Sequence, residues 1–402
     1  MRQWVVTDHA AGVWVETLDL GPAELGLAGC RVTKRRLRGG LSDGVDLLQV
    51  TCGELSFTVL PTRGMGLWRG RYRGLDLGWQ SPVRGPVHPS YVVSGERGGL
   101  GWLRGFDEWV VRCGLDSNGA PGPDTVLDNN GNPITVQLDL HGRIANQPAH
   151  HLAITADPAQ EVLQITGHVA ETALFHPLLE LHTTISVTPG SPRITVADSV
   201  LNLQATTAEL ELLYHCNFGP PFLEAGSRVA VPFAAMAPRD ARAQEGLGAD
   251  GATAAAHATA CLGPTAGYVE QVYFFQPAAR PGDGASLAAL VAADASRAAV
   301  VRFDCRQLPC LTLWKNTAAS EQGYVVGIEP ATNYPNTRAI ERAAGRVIIL
   351  PPGARHEAQV MLEVALGEEA VADVTAEVGQ IHDAGPGTVH LQPHADFGAE
   401  GG

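Results

Sequence analysis

What most constrains this chain is a succession of short apolar runs of period two, each closed by glycine or proline, with no helical pattern between neighbours. In Gly53–Pro61 (GELSFTVLP), Leu55, Phe57 and Val59 alternate with other residues, the pattern of a half-buried strand. Similar runs follow at Glu161–Val169, Leu178–Val187, Arg193–Leu201, Leu210–Phe218, Gln271–Gln276, Ala298–Phe303, Thr312–Lys315, Tyr324–Glu329, Arg346–Leu350 and His356–Val364. Parallel pairs need crossovers of a dozen or more residues, usually helical, so strands that follow one another directly point to antiparallel sheets. The 46 glycines and 27 prolines supply the turns. The expected fold is mainly all-β: a large antiparallel β-sandwich with a few short helices, helix staying below about a fifth of the residues.

A chain of 402 residues is long for one domain, but sandwiches reach this size as single units. With 45% hydrophobic and 17% charged residues, a large core is available. One sandwich domain is expected over residues 1–366. Val371, Val374, Val378 and Ile381 then recur at helical spacing, predicting a helix over 367–383 packed on the sandwich. The Gly-, Pro- and His-rich stretch 384–402 reads as a flexible tail, and the Ala/Gly-rich segment Ala237–Pro264 as a surface excursion.

Charge narrows the partners. A net charge of −14 repels phosphate backbones and anionic lipid, so neither nucleic acid nor a membrane is an expected partner. No apolar stretch of about 18 residues occurs, and Asp8 and Glu16 interrupt the N-terminal stretch where a signal peptide would be apolar. Seven cysteines, scattered singly without a CxxC pair, fit reduced thiols of a cytoplasmic protein. The oligomeric state is left open.

Three segments concentrate chemistry. In Leu210–Phe218 (LELLYHCNF), strand alternation puts His215 and Asn217 on one face and Tyr214, Cys216 and Phe218 on the other. In Tyr324–Asn336 (YVVGIEPATNYPN), an apolar run delivers Glu329, and Pro330 holds its backbone extended. A carboxylate pressed against apolar neighbours is a better base. In Asp139–Pro148 (DLHGRIANQP), Asp139, His141 and Arg143 share a face if the strand continues through Gly142, and His141 and Arg143 offer planar donors for hydroxyls. Arg63 in PTRGMG, Asp107 in RGFDEWVV and Asn333 in IEPATN are further polar candidates, and Trp102, Trp109 or Trp314 could floor a site by stacking. Taken singly, each of these also fits a structural role. His141, His215 and Glu329 could form a two-His, one-carboxylate set, but no HxH or HxxxH pair anchors it, so no metal is expected.

In order, these segments resemble the aldose 1-epimerase (galactose mutarotase-like) family, over roughly residues 45–365. LHGR (Leu140–Arg143) resembles its sugar-contacting LHGG stretch, YHCNF (Tyr214–Phe218) the segment of its general-acid histidine, and GIEPATN (Gly327–Asn333) that of its general-base glutamate. The closing LPPGARHEAQVMLEV matches its proline–glycine, then strand, ending. PTRGMG, RGFDEWVVRCGL and IEPATN are closer to a poorly characterised bacterial branch. The chain departs from the pattern in reading His-x-Asn-aromatic at 215–218 and in placing Arg143 where a second glycine is usual. The resemblance implies a cofactor-independent isomerase acting on a small-molecule sugar, with His215 and Glu329 catalytic and His141, Arg143, Arg63, Asn217, Asp107, Trp314 and Asn333 around the substrate. A non-catalytic sugar-binding protein, or a carbohydrate lyase or hydrolase on the same fold, stays open.

Overall fold

The computed structural model describes residues 1–248, 251–383, 385 and 387–398. It is 45% strand and 15% helix, arranged as two large, mostly antiparallel sheets packed face to face. The ten-stranded sheet runs, in spatial order, from Arg228–Ala230 through Ala285–Val291, Arg297–Asp304, Arg355–Leu366, Arg193–Asn202, Leu178–Val187, Val162–Thr172 and Ala149–Asp157 to Arg2–Asp8 and Val13–Trp14. In the fourteen-stranded sheet the centre is Gln271–Pro277, Cys310–Asn316, Val325–Ala331, Ala208–Phe218 and Val110–Leu115.

The two sheets differ in how they meet water. Leu178–Val187 alternates buried and half-buried residues along its whole length, because one face packs inward and the other is solvated. By contrast, every residue of Val110–Leu115 and of Val325–Ala331 is buried. Loops cover the outer face of that sheet, and the candidate site residues lie beneath them.

The core between the sheets joins Ile154, Ile165, Leu181 and Val196 to Leu210, Tyr214, Cys216 and Ile328. One ion pair crosses it. Arg112 meets Asp198 at 2.6 Å with both side chains almost fully buried, donates to Thr183 and to the carbonyls of Gly64 and Met65, and Asp198 also accepts from the Tyr214 hydroxyl. Burying an ion pair is tolerated only when its remaining hydrogen-bonding capacity is filled in this way. The helix Glu368–His382 lays Val371, Val374, Val378 and Ile381 over Leu287, Ala289, Val291 and Val300, on the far side of the ten-stranded sheet.

Several expectations are corrected. Residues 237–264 are not a surface excursion: Phe233–Pro238 is a strand, two short helices follow, and Ala243, Leu247, Ala254 and Ala258 are fully buried. Alanine-rich sequence here lets helices sit close to the sheet. Within the expected tail, Thr388–Val389 pairs in parallel with Ala235–Met236, and Phe397 is buried against Tyr334; residues 384, 386 and 399–402 lie outside the described residues. Cys30 and Cys52, expected as thiols, face each other across neighbouring antiparallel strands and form a disulfide. Hairpin pairing, invisible in a spacing of 22 residues, joins them; the other five cysteines are free. No helix among the described residues is long and apolar enough to cross a membrane.

Candidate active site

One row of side chains crosses the covered face of the fourteen-stranded sheet. Residues paired across strands project on the same side. Ala237 pairs with Phe274, Phe274 with Thr312, Thr312 with Glu329, and His215 with Val111. The register that sets Cys216 against Ile328 and Leu213 against Ala331 places His215 opposite Glu329. Their side chains meet, His215 Nε2 lying 3.2 Å from Glu329 Oε1, an approach too poorly aligned to count as a hydrogen bond. As the sequence alternation requires, Tyr214, Cys216 and Phe218 point the other way, into the core.

Aromatic rings wall the pair. Phe106 stands edge-on to His215 at 4.9 Å, Trp314 at 5.3 Å and His141 at 5.6 Å, and Trp102 packs on both Phe106 and His141. His215 and Glu329 are only 4% and 2% exposed. Gly327 completes the wall by having no side chain: a Cβ there would fall 2.5 Å from Glu329 Oε1 and 3.2 Å from ring atoms of both His215 and Trp314.

Burial sets the protonation of the pair. Desolvation holds His215 well below the usual imidazole value, with the neighbouring His141 adding to the effect. It raises Glu329 well above the usual carboxyl value, helped by the Glu270 carboxylate and opposed by Arg239. Both therefore favour their neutral forms at neutral pH. His141 is pushed down to about 4 by burial, against the hydrogen bond between its Nδ1 and the Asn118 carbonyl. Around the pair, Asn217 Oδ1, Thr312 Oγ1 and Trp102 Nε1 are buried without a protein partner. Buried polar groups are rarely left unpaired, and this set offers both donors and acceptors to a hydroxylated molecule.

Of the residues expected in the site, His141, His215, Asn217, Glu329 and Trp314 come together. Asn217 donates to the Glu108 and His215 carbonyls while leaving its oxygen free. Trp314 donates its indole N–H to Glu270, which also accepts from Arg239; sequence reasoning missed both of these, since neither lies in a distinctive motif. It missed Phe106 and Thr312 as well, although strand pairing makes Thr312 the direct neighbour of Glu329.

The others go elsewhere. Arg63 is a brace: its Nε meets Glu108 at 2.6 Å, and its terminal nitrogens hold the Val87 and Gly105 carbonyls and Asn146. Asn333 exchanges hydrogen bonds with Asn118 and accepts from Thr332. Asp107 accepts from the Trp68 indole, and burial beside Glu108 raises it to about 7. The strand expected to carry Asp139, His141 and Arg143 ends at Leu138. His141 and Gly142 both adopt left-handed backbone, with φ of 60° and 67°, so the alternation breaks. Arg143 is exposed and lines a cavity that neither His215 nor Glu329 borders. Trp109 belongs to the core between the sheets.

Comparison with known proteins bears on the family and the fold. The family model described as a domain of unknown function, DUF4432, matches residues 42–364. The chain belongs to this family. A Klebsiella pneumoniae protein named as a candidate aldose 1-epimerase is 32% identical, each chain covering 98% of the other, with a TM-score of 0.89. A galactose mutarotase-like protein from Clostridium acetobutylicum (14% identity, 84% of this chain and 99% of that one, TM-score 0.59) and another candidate aldose 1-epimerase, from Escherichia coli K12 (14%, 80% and 100%, TM-score 0.53), share the fold. The chain thus shares the fold of galactose mutarotase-like proteins. No curated protein matches the chain.

Proposed function

We propose that this protein is an aldose 1-epimerase-type isomerase that interconverts the anomers of a small sugar, with Glu329 as base and His215 as acid. The observation that carries the reading is the side-by-side contact of these two groups at 3.2 Å, beneath a wall of aromatic rings. They do not stand on opposite sides of a ring-sized gap, and the chemistry does not require it. The anomeric hydroxyl and the ring oxygen are bonded to the same carbon, so an acid and a base serving them must lie close together.

The proton count closes. The resting pair is neutral, and a proton passing from Glu329 to His215 across their contact gives the working form, a carboxylate beside an imidazolium. Glu329 takes the proton of the anomeric hydroxyl, the bond from C1 to the ring oxygen breaks, and His215 protonates that oxygen, leaving an open-chain aldehyde. The pair is then a glutamic acid beside a neutral imidazole, the form that burial favours. Rotation about C1–C2 and reclosure reverse both transfers. One proton shared by two groups completes the cycle without a cofactor. Trp314 and Trp102 supply aromatic surface for the sugar's apolar face, and Asn217 Oδ1, Thr312 and Glu270 supply hydroxyl partners.

Exchange between anomers, followed by NMR on aldoses, tests this. Glu329→Gln keeps size and shape while removing the base, and His215→Asn removes the acid. Each should lower exchange by on the order of 10²–10⁴-fold with little change in sugar affinity, since the lost interaction acts in the transition state. Tight sugar binding by a wild-type protein that never accelerates exchange would instead assign the site to a sugar-binding protein.

A further inference from the structure

Away from the candidate active site, a hairpin, a turn and a cavity form one apolar surface. The strands Gly122–Leu127 and Pro133–Leu138 pair only with each other and form a separate two-stranded sheet. This hairpin exposes Leu127 (65%) and Ile134 (42%). The turn after Val162–Thr172 holds Phe175 in left-handed backbone and presents Leu174 and Phe175 to solvent, 81% and 67% exposed. Between them opens a cavity of about 1220 Å³, walled by Val126, Leu127, Leu178 and Ile349 as well as by Leu174 and Phe175 themselves. Soluble monomers rarely leave so many large apolar side chains contiguous and uncovered.

We propose that this surface is the contact between two copies of the chain in a two-fold dimer. Charge singles out the occupant. Two chains of −14 each repel over most of their surfaces, so self-association needs a patch that is apolar and locally neutral. The cavity floor provides it. Arg338 is bonded to Asp116 and Glu209, and Arg342 to Asp124 and Glu209. Counting Arg143 on the rim, three cations balance three carboxylates in formal charge. Arg338 and Arg342 spend most of their donors on carboxylates of the same chain, although Arg338 Nε keeps no hydrogen-bond partner, so an apolar knob can enter without breaking an ion pair. Knob and hole also lie on the same surface, as an isologous contact demands: the Leu174–Phe175 tip of each copy enters the cavity of the other.

Analytical ultracentrifugation of the full chain over a wide concentration range tests the proposal. The expected species is a dimer at twice the chain mass of 42.3 kDa. Raising salt from about 0.05 to about 0.5 M should tighten it, because screening weakens the net repulsion while the apolar contact persists. The double variant Leu174→Asp/Phe175→Asp, and separately Leu127→Asp on the other hairpin, should weaken association at least tenfold while circular dichroism and anomer exchange stay as in wild type. A wild-type monomer at every concentration, a dimer that survives both variants, dissociation by salt, or open-ended larger assemblies would each overturn it.

Discussion

At the scale of single residues, the candidate site depends as much on an absent side chain as on those present. Gly327 stands in the row next to His215 and Glu329, paired with Trp314 and Asn217. A methyl group there would press on the Glu329 carboxylate, the His215 ring and the Trp314 ring together. Of these only Glu329 can swing aside readily, which would pull it from His215. Misplacing a reacting group by about an ångström costs on the order of 10²-fold in rate. Gly327→Ala should therefore lower anomer exchange by about that factor while leaving the thermal midpoint within a few degrees of wild type. Full activity in this variant would mean that the contact between the pair does not matter.

At the scale of elements, what the sequence reveals depends on how many faces of a strand are buried. Leu178–Val187 and Arg193–Asn202 have one solvated face, and the alternation marks them almost to the residue. Ala285–Val291, packed between the inner core and the terminal helix, is an apolar run without period, so nothing in it distinguishes strand from helix. The site was legible where alternation or a stiff backbone aims a side chain, as at His215 and Glu329. It was illegible where a partner distant in sequence claims the group, as Glu108 claims Arg63 and Asn118 claims Asn333. The same holds for the central ion pair, whose members are 86 residues apart. Asp198→Ala leaves Arg112 buried without its counter-charge and the Tyr214 hydroxyl without its acceptor. Removing one partner of a buried pair typically costs about 3–5 kcal/mol. Urea unfolding should show a loss of that size, and a change below about 1 kcal/mol would mean that water reaches the guanidinium.

At the scale of the whole molecule, burial of carboxyl groups gives stability a pH dependence opposite to the usual acid-side loss. Burial raises Glu171 and Glu211 to about 7. For Glu211, the Asn118 N–H bond and the Arg338 charge oppose that rise without cancelling it. Below the ordinary carboxyl value of 4.5 the group is protonated in both folded and unfolded chains and contributes no pH dependence. Between about 4.5 and 7 the folded chain keeps a proton that the unfolded chain has released, so stability falls as pH rises, and above 7 the loss is complete. His141 and His168, both held down to about 4 by burial, act in the other direction: the unfolded chain binds their protons first, so stability rises with pH up to about 6.5. The total curve mixes these opposing terms, but the difference between wild type and Glu211→Gln isolates one. Glutamine retains an oxygen to accept the Asn118 N–H and cannot ionise. From pH 5 to pH 8 the variant should gain on wild type by on the order of 3 kcal/mol, the linkage equivalent of the raised carboxyl, read from urea unfolding at each pH. A difference that stays flat across this range would show that Glu211 titrates alike in folded and unfolded chains, and that the strand beneath Asn118 is open to water.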